Sequence, residues 1–169
     1  INGMPILNTH AGDVFWVDSG AGSDGDKGTE RQPFSTMDYA VGRCTANNGD
    51  VIMVKPGHTE TISAAGGLDL DVAGITLIGL GSGSDTPIIA LDTAVSADID
   101  VDAANVTMIN FHITSGFADI AVAIDVNATD FTIIGCRFTE AANDQNFKIC
   151  IQDAAAAASD RMTIEDCFA

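Results

Sequence analysis

The sequence predicts an all-β protein, a single-stranded parallel β-helix of about five turns with an N-terminal capping helix. Three observations lead there. Residues 124–138 lie over residues 68–82, 99–113 and 155–169 without a gap. Thr76, Thr107, Thr132 and Thr163 share one column of that alignment, spaced 31, 25 and 31 residues apart, and a period in this range marks a solenoid. The connections are short and rich in Gly, Asp and β-branched residues. They cannot supply the amphipathic crossover helices of a βαβ fold. About five turns stacked ~4.8 Å apart give a body about 24 Å long.

Two regions follow: residues 1–50 as an N-terminal arm, opening strand, loop and cap, and residues 51–169 as the solenoid body. Residues 1–13 carry the breakers Gly3, Pro5 and Gly12. Val14–Val17 reads as a short buried strand. Residues 18–32 form a loop in which Asp18, Asp24 and Asp26 fall close together, either part of a calcium loop or a solvated turn. Residues 33–44 read as a helix, with Ser35 as N-cap, Asp38 completing a capping box, and Phe34 and Tyr39 as a hydrophobic staple. After the turn at residues 47–50 the period becomes that of strands. Val51–Val54 and Thr59–Ile62 come first, then the repeats, with shorter strands expected at residues 87–90 and 148–151. Residues 154–158 have helix propensity but fall on a repeat strand.

The chain holds 24 acidic and 7 basic residues among 169, a formal net charge of −17. That balance argues against nucleic acid or an anionic membrane as partner, since both reward clustered Lys and Arg. No apolar run approaches the roughly 18–20 residues of a spanning helix. The chain begins at Ile1 and ends in mid-repeat at Ala169, which suggests a fragment or a processed chain. Cys44, Cys136, Cys150 and Cys167 lack C-x-x-C spacing, and buried free thiols are favoured over a disulfide. His10, His58 and His112 are scattered and read as surface or corner residues. No catalytic set, metal site or cofactor fingerprint emerges.

Residues 15–29 (FWVDSGAGSDGDKGT), 32–36 (QPFST) and 49–57 (GDVIMVKPG) resemble the entry to right-handed parallel β-helix proteins of the pectate-lyase-like superfamily. The segments TIIGCRF at 132–138 and TIEDCF at 163–168 resemble that superfamily's generic turn. The resemblance implies the fold across residues 14–169 and leaves activity open, because enzymes and virion proteins share the scaffold.

Strand alternation then assigns faces. Ile75/Val106/Phe131/Met162, Leu77/Met108/Ile133/Ile164, Leu80/Phe111/Cys136/Cys167 and Ser82/Ile113/Phe138/Ala169 point inward, as do Leu68/Ile99/Ile124/Ala155 and Leu70/Val101/Val126/Ala157. Two outward columns bear on function. The first is a carboxylate ladder, Asp69/Asp100/Asp125, flanked by Asp71/Asp102/Asn127. It is a solvated acidic face, a cation site or a catalytic carboxylate pair. The second is Thr76, Thr107 and Thr132 with Ile78, Ile109 and Ile134, extended backwards by Ile52 and Val54. An exposed apolar stripe of this kind reads as a subunit interface, with a covering segment such as residues 1–13 as the alternative.

The favoured expectation is therefore a non-enzymatic structural protein of a bacteriophage-like virion, a capsid decoration or tail component. It would assemble as a homotrimer and contact other virion proteins, without a cofactor. The alternative is an extracellular or cell-surface polysaccharide lyase or hydrolase, or a carbohydrate-binding module, using Asp69, Asp100, Asp102 and Asp125. A lyase would also want a basic residue, for which only Arg137 and Lys55 come into question.

Overall fold

A computed structural model describes residues 12–153 and 161–169 as a parallel β-solenoid. Its first sheet stacks β1 (Val14–Val17), β2 (Val51–Val54), β5 (Thr76–Gly79), β8 (Thr107–Ile109), β11 (Thr132–Ile134) and β14 (Thr163–Glu165). The second holds β3 (Thr59–Ile62), β6 (Ile88–Leu91), β9 (His112–Ser115) and β12 (Arg137–Glu140). The third holds β4 (Leu68–Asp69), β7 (Ile99–Val101), β10 (Ile124–Val126) and β13 (Ile151–Asp153). Each turn contributes one strand to each sheet. The turns starting at β2, β5, β8 and β11 are complete, so the body has about four turns rather than the expected five.

The threonine column is in register, Thr76 on Thr107 on Thr132 on Thr163. One residue on, Ile52, Leu77, Met108 and Ile133 are wholly buried. Leu68, Ile99 and Ile124 fill the core from the third sheet, and Ile151 stacks next on Ile124. Ile151 and Asp153 thus take the places expected of Ala155 and Ala157, which lie outside the described residues, as do residues 1–11 and the alanine-rich stretch with helix propensity. Stacking places each apolar side chain against its counterpart about 4.8 Å away, where full burial of a Leu or Ile contributes roughly 1.5–3 kcal/mol.

The corner between third and first sheets requires a left-handed residue. Gly74, Asn105 and Asp130 supply φ values of 77°, 60° and 60°, and each precedes a buried side chain, Ile75, Val106 and Phe131. Gly, Asn and Asp tolerate that conformation best. The corner between first and second sheets uses Asn110 and Gly135 in the same way, at 61° and 62°. One turn departs from the pattern. Residues 80–87 loop out between β5 and β6, where only residues 110 and 111 separate β8 from β9. This insertion explains the longer first spacing. It also corrects the inward column expected for Ser82: Ser82 is exposed, and Ile89 stacks on Ile113 in its place. Leu80 is only half-buried, whereas Phe111 and Cys136 are fully enclosed.

The cap is shorter than expected. α1 spans Met37–Val41, with Thr36 rather than Ser35 as N-cap, and the Thr36 hydroxyl accepts from the Tyr39 amide. Asp24 decides this start: its Oδ1 accepts the Ser35 and Thr36 amides at 2.9 and 3.2 Å, which holds both residues outside the helix. Asp38 makes no capping box and instead accepts the Asp69 amide through Oδ1 at 3.2 Å. Met37, Ala40 and Val41 turn into the core, and Phe34 meets Tyr39 edge to face at 5.0 Å, as the staple expected.

Burial at Asp24 opposes ionisation, but the hydrogen bonds from Ser35 and Thr36 outweigh it and hold its pKa below the usual value. Asp18 is likewise held low, with bonds from Gly20 and Ala21 and Lys55 at 3.4 Å overcoming its burial. Both carboxylates therefore act as anchors of the loop.

Two buried polar residues pin the entry. Asp50 accepts the Asp13 and Thr45 amides and the Asn48 side chain at 2.6–2.7 Å. His58 is not a surface residue: it is 1% exposed, and its Nδ1 accepts the Ser19 amide at 3.0 Å. The hydrogen therefore sits on Nε2, which faces Glu60 Oε2 at 3.2 Å, and the same oxygen accepts the Met37 amide. The four cysteines are free thiols. Burial pushes those of Cys44 and Cys136 up to about 12.

Ile52 and Val54, expected on the outward stripe, are instead fully buried. Pairing sets Ile52 beside Leu77, and Val51 and Met53 point outward. A one-residue slip of register exchanges every side chain between core and surface. Ile52→Asp should therefore unfold the chain, at a cost of roughly 4 kcal/mol or more for a buried unpaired charge. Met53→Asp should cost about 1 kcal/mol at most. Urea denaturation midpoints of the two variants check the assignment.

Candidate functional site

The third sheet carries the carboxylate face. Pairing places Asp69 beside Asp100, Asp100 beside Asp125, and Asp125 beside Gln152. The strands alternate so that Leu68, Ile99 and Val101 go to the core, which leaves these aspartates facing out. Gln152 ends the ladder, with Nε2 3.4 Å from Asp125 Oδ1. In the flanking column Asn127 donates to Asp102 Oδ1 at 2.9 Å.

Two further carboxylates join the ladder. Asp38 reaches it from α1 through the Asp69 amide, and Asp98 adjoins it while accepting the Gly66 amide at 2.6 Å. Neither shares a repeat column with the ladder; a cap residue and a loop residue reach it only through folding.

The electrostatics are one-sided. Partial burial, then the charges of Asp98, Asp102, Asp125 and Asp69, push the Asp100 carboxyl up to about 6. Asp69 is raised by burial and by Asp71, Asp102 and Asp38. Asp125 is raised by burial and Asp102, against the hydrogen bond from Gln152. Asp98 is also raised, burial and Asp125 outweighing the Gly66 bond. Asp69 Oδ1 is buried without a hydrogen-bond partner. Among the described residues, no ion pair involves the ladder, and no group of three or more His, Cys, Asp or Glu side chains is arranged to hold a metal ion. The face is a set of carboxylates whose burial and mutual repulsion disfavour joint ionisation.

The outward stripe of the first sheet is real in part. Ile78, Ile109 and Ile134 stack in register, half-exposed, beside the threonines. Its continuation is Met53 and then Trp16, through β2 and β1, in place of Ile52 and Val54. At the other end Ile134 meets Glu165.

Arg137 lies on neither face. It projects from β12 in the column of Ile88 and His112 on the second sheet, at the corner with the first, and borders a cleft of about 270 Å³. Arg137 and His112, 25 residues apart, fall in one column of the repeat, and the pairing of β12 on β9 brings their side chains together. Lys55 is distant from the ladder in pairing and bound to Asp18.

No protein-family model and no curated protein matches the chain in sequence. Two solved structures match in fold. A rhamnogalacturonan lyase aligns with a TM-score of 0.60 at 16% identity, over 92% of this chain and 51% of its own. The GH136 lacto-N-biosidase from Eubacterium ramulus aligns with a TM-score of 0.62 at 16% identity, over 92% of this chain and 34% of its own. The chain thus spans about half and about a third of the lengths of these two proteins. At this identity the likeness establishes the β-solenoid fold. It offers no support for a virion.

The charge of Asp100 opposes folding. An acid with a raised native pKa binds more protons folded than unfolded, so its penalty is present above about pH 6 and vanishes below the ordinary value of 3.8. Asp100→Asn should therefore stabilise the protein at pH 7.5 by roughly 1 kcal/mol, after discounting for solvent screening. The difference should shrink toward zero by pH 4. Calorimetric melting across that range measures it.

Proposed function

We propose that the chain is the β-solenoid portion of a carbohydrate-active protein that hydrolyses a glycan on the carboxylate face of its third sheet. The observation that carries this reading is the in-register ladder Asp69–Asp100–Asp125 on an outward face. Neighbouring strands lie about 4.8 Å apart, close to the roughly 5–5.5 Å that separates the two carboxyls of a retaining glycosidase. A carboxyl that titrates near 6 keeps its proton long enough at neutral pH to act as general acid, and Asp100 is such a group. In this scheme Asp100 protonates the glycosidic oxygen. As the glycosidic bond breaks, Asp125 or Asp69, one strand to either side, stabilises the developing positive charge or forms a glycosyl ester, and water then adds at the anomeric carbon and returns a proton to Asp100.

Both solved neighbours bear the names of carbohydrate-active enzymes, which agrees with this reading and not with a phage structural role. Hydrolysis is favoured over lyase chemistry on physical grounds. A lyase removes a proton beside a substrate carboxylate, and this face of aspartates repels polyanions and, among the described residues, pairs with no cation. The substrate class is therefore a neutral glycan.

Incubation with a panel of neutral and acidic polysaccharides tests the proposal. Cleavage should be confined to neutral chains, and Asp100→Asn should reduce the rate by roughly 10²–10⁴-fold, the usual contribution of a general acid. Cleavage that persists in both Asp100→Asn and Asp125→Asn would remove the ladder from the chemistry.

A second reading, assembly into a homotrimer through the first sheet, rests on the uncharged run Trp16–Met53–Ile78–Ile109–Ile134. On that reading light scattering gives a trimer that Ile109→Asp converts to monomer. A monomeric wild-type protein removes it.

A further inference from the structure

Arg137 stands in an unusual position for a cation in so acidic a chain. Lys27, Arg31 and Arg43 are exposed to solvent, and Lys55, Lys148 and Arg161 each pair with a carboxylate, Asp18, Asp119 and Asp130. Arg137 instead sets Nη2 2.9 Å from His112 Nδ1. Burial, then the nearby guanidinium charge, lower the pKa of His112 below its usual value. Its imidazole is therefore neutral, with Nδ1 accepting from Arg137 and Nε2–H donating to Thr139 Oγ1 at 2.7 Å. Thr139, His112 and Arg137 form a relay that fixes the guanidinium without neutralising it. Arg137 Nε is buried and makes no hydrogen bond. A half-buried guanidinium with an unmet donor and a neutral partner is thus left without a counter-charge among the described residues.

The cleft beside it has the remaining parts of a ligand site. Its walls include Thr86 from the inserted loop, Asn110 and Phe111 from the corner, and Phe168. Phe168 pairs with Arg137 through a parallel bridge one turn along and is 61% exposed, an aromatic face left in solvent. Asn110 donates Nδ2 to the carbonyls of Gly79 and Gly81 at 2.7 and 3.1 Å, which orients its amide and leaves Oδ1 as an acceptor. Cation, aromatic face, hydroxyl and amide oxygen thus border one cleft, on a different sheet from the aspartate ladder.

We infer that this cleft binds a small ligand bearing a carboxylate on a ring, with Arg137 as counter-ion, Phe168 stacking on the ring, and Thr86 and Asn110 taking its hydroxyls. Planar bidentate donors suit a carboxylate, and the His112 contact pre-orients the fork. The inference is independent of the proposed hydrolysis, since it uses no residue of the ladder. Two chemical sources present such a group, a sugar acid and an aromatic acid.

Titration of the ¹⁵N-labelled protein followed by NMR distinguishes them, with glucuronate and benzoate as probes and glucose and benzyl alcohol as their neutral controls. The expected result is a saturable shift of the Arg137 Nε–H and Phe168 amide signals with at least one acid and with neither control. The acid that binds identifies the source. Arg137→Met should weaken that binding at least about tenfold, as loss of a charge-assisted bond does. Phe168→Ala, at an exposed side chain that leaves the core untouched, should weaken it several-fold. No shift with either acid, equal shifts with the neutral controls, or undiminished binding in a folded Arg137→Met or in Phe168→Ala would overturn the assignment.

Discussion

Everything in this molecule depends on the parallel hydrogen-bond register between successive turns. Once Thr76 is aligned with Thr107 and Thr107 with Thr132, every other residue of those strands is assigned to core or surface. Inside, the result is favourable: Leu77, Met108 and Ile133 stack with no exposed area. The left-handed corner residues, Gly74, Asn105 and Asp130, return each turn to the same starting point. The stack also needs a closed beginning, which α1, Asp24, Asp50 and the His58–Glu60 pair provide by binding backbone amides of the entry segment. At the opposite end Ile164, in the core column of Leu77, Met108 and Ile133, is 50% exposed.

The same register acts against stability on the outer face of the third sheet. It stacks like on like without regard to charge, so Asp69, Asp100 and Asp125 come together with no cation among them. Burial and mutual repulsion then hold protons on groups that would otherwise lose them. A solenoid could avoid this by placing one lysine in the column. That it does not is in keeping with the proposed glycan chemistry, because catalytic sites commonly hold groups in arrangements that oppose folding. The carboxylate ladder and the apolar columns are two outcomes of one geometric rule.

Departures from the repeat mark where the chain differs from a plain stack. The insertion at residues 80–87 lets Thr86 border the cleft at Arg137, which a turn as short as its neighbours would leave open. Asp98 and Asp38 reach the ladder from outside its columns. Asp24 shortens the cap by taking two amides that the local sequence would assign to the helix.

The sequence by itself determined the solenoid, the threonine register, most of the core columns and the existence of the aspartate ladder. A period of side chains is a local property, and gapless alignment of 68–82, 99–113 and 124–138 carries it directly. Tertiary structure alone decided the rest. Ile52 and Val54 belong to the core because β1 and β5 pair on either side of β2, and no repeat column reaches back to set that phase. Ser35 lost the cap to a carboxylate 11 residues away, and His58 became a buried pin through a partner 39 residues away. Arg137 and His112 share a repeat column, but the contact between their side chains and the cleft that Arg137 borders came only with stacking of the turns. Contacts of this kind are invisible to any local reading, since they exist only after the turns have stacked.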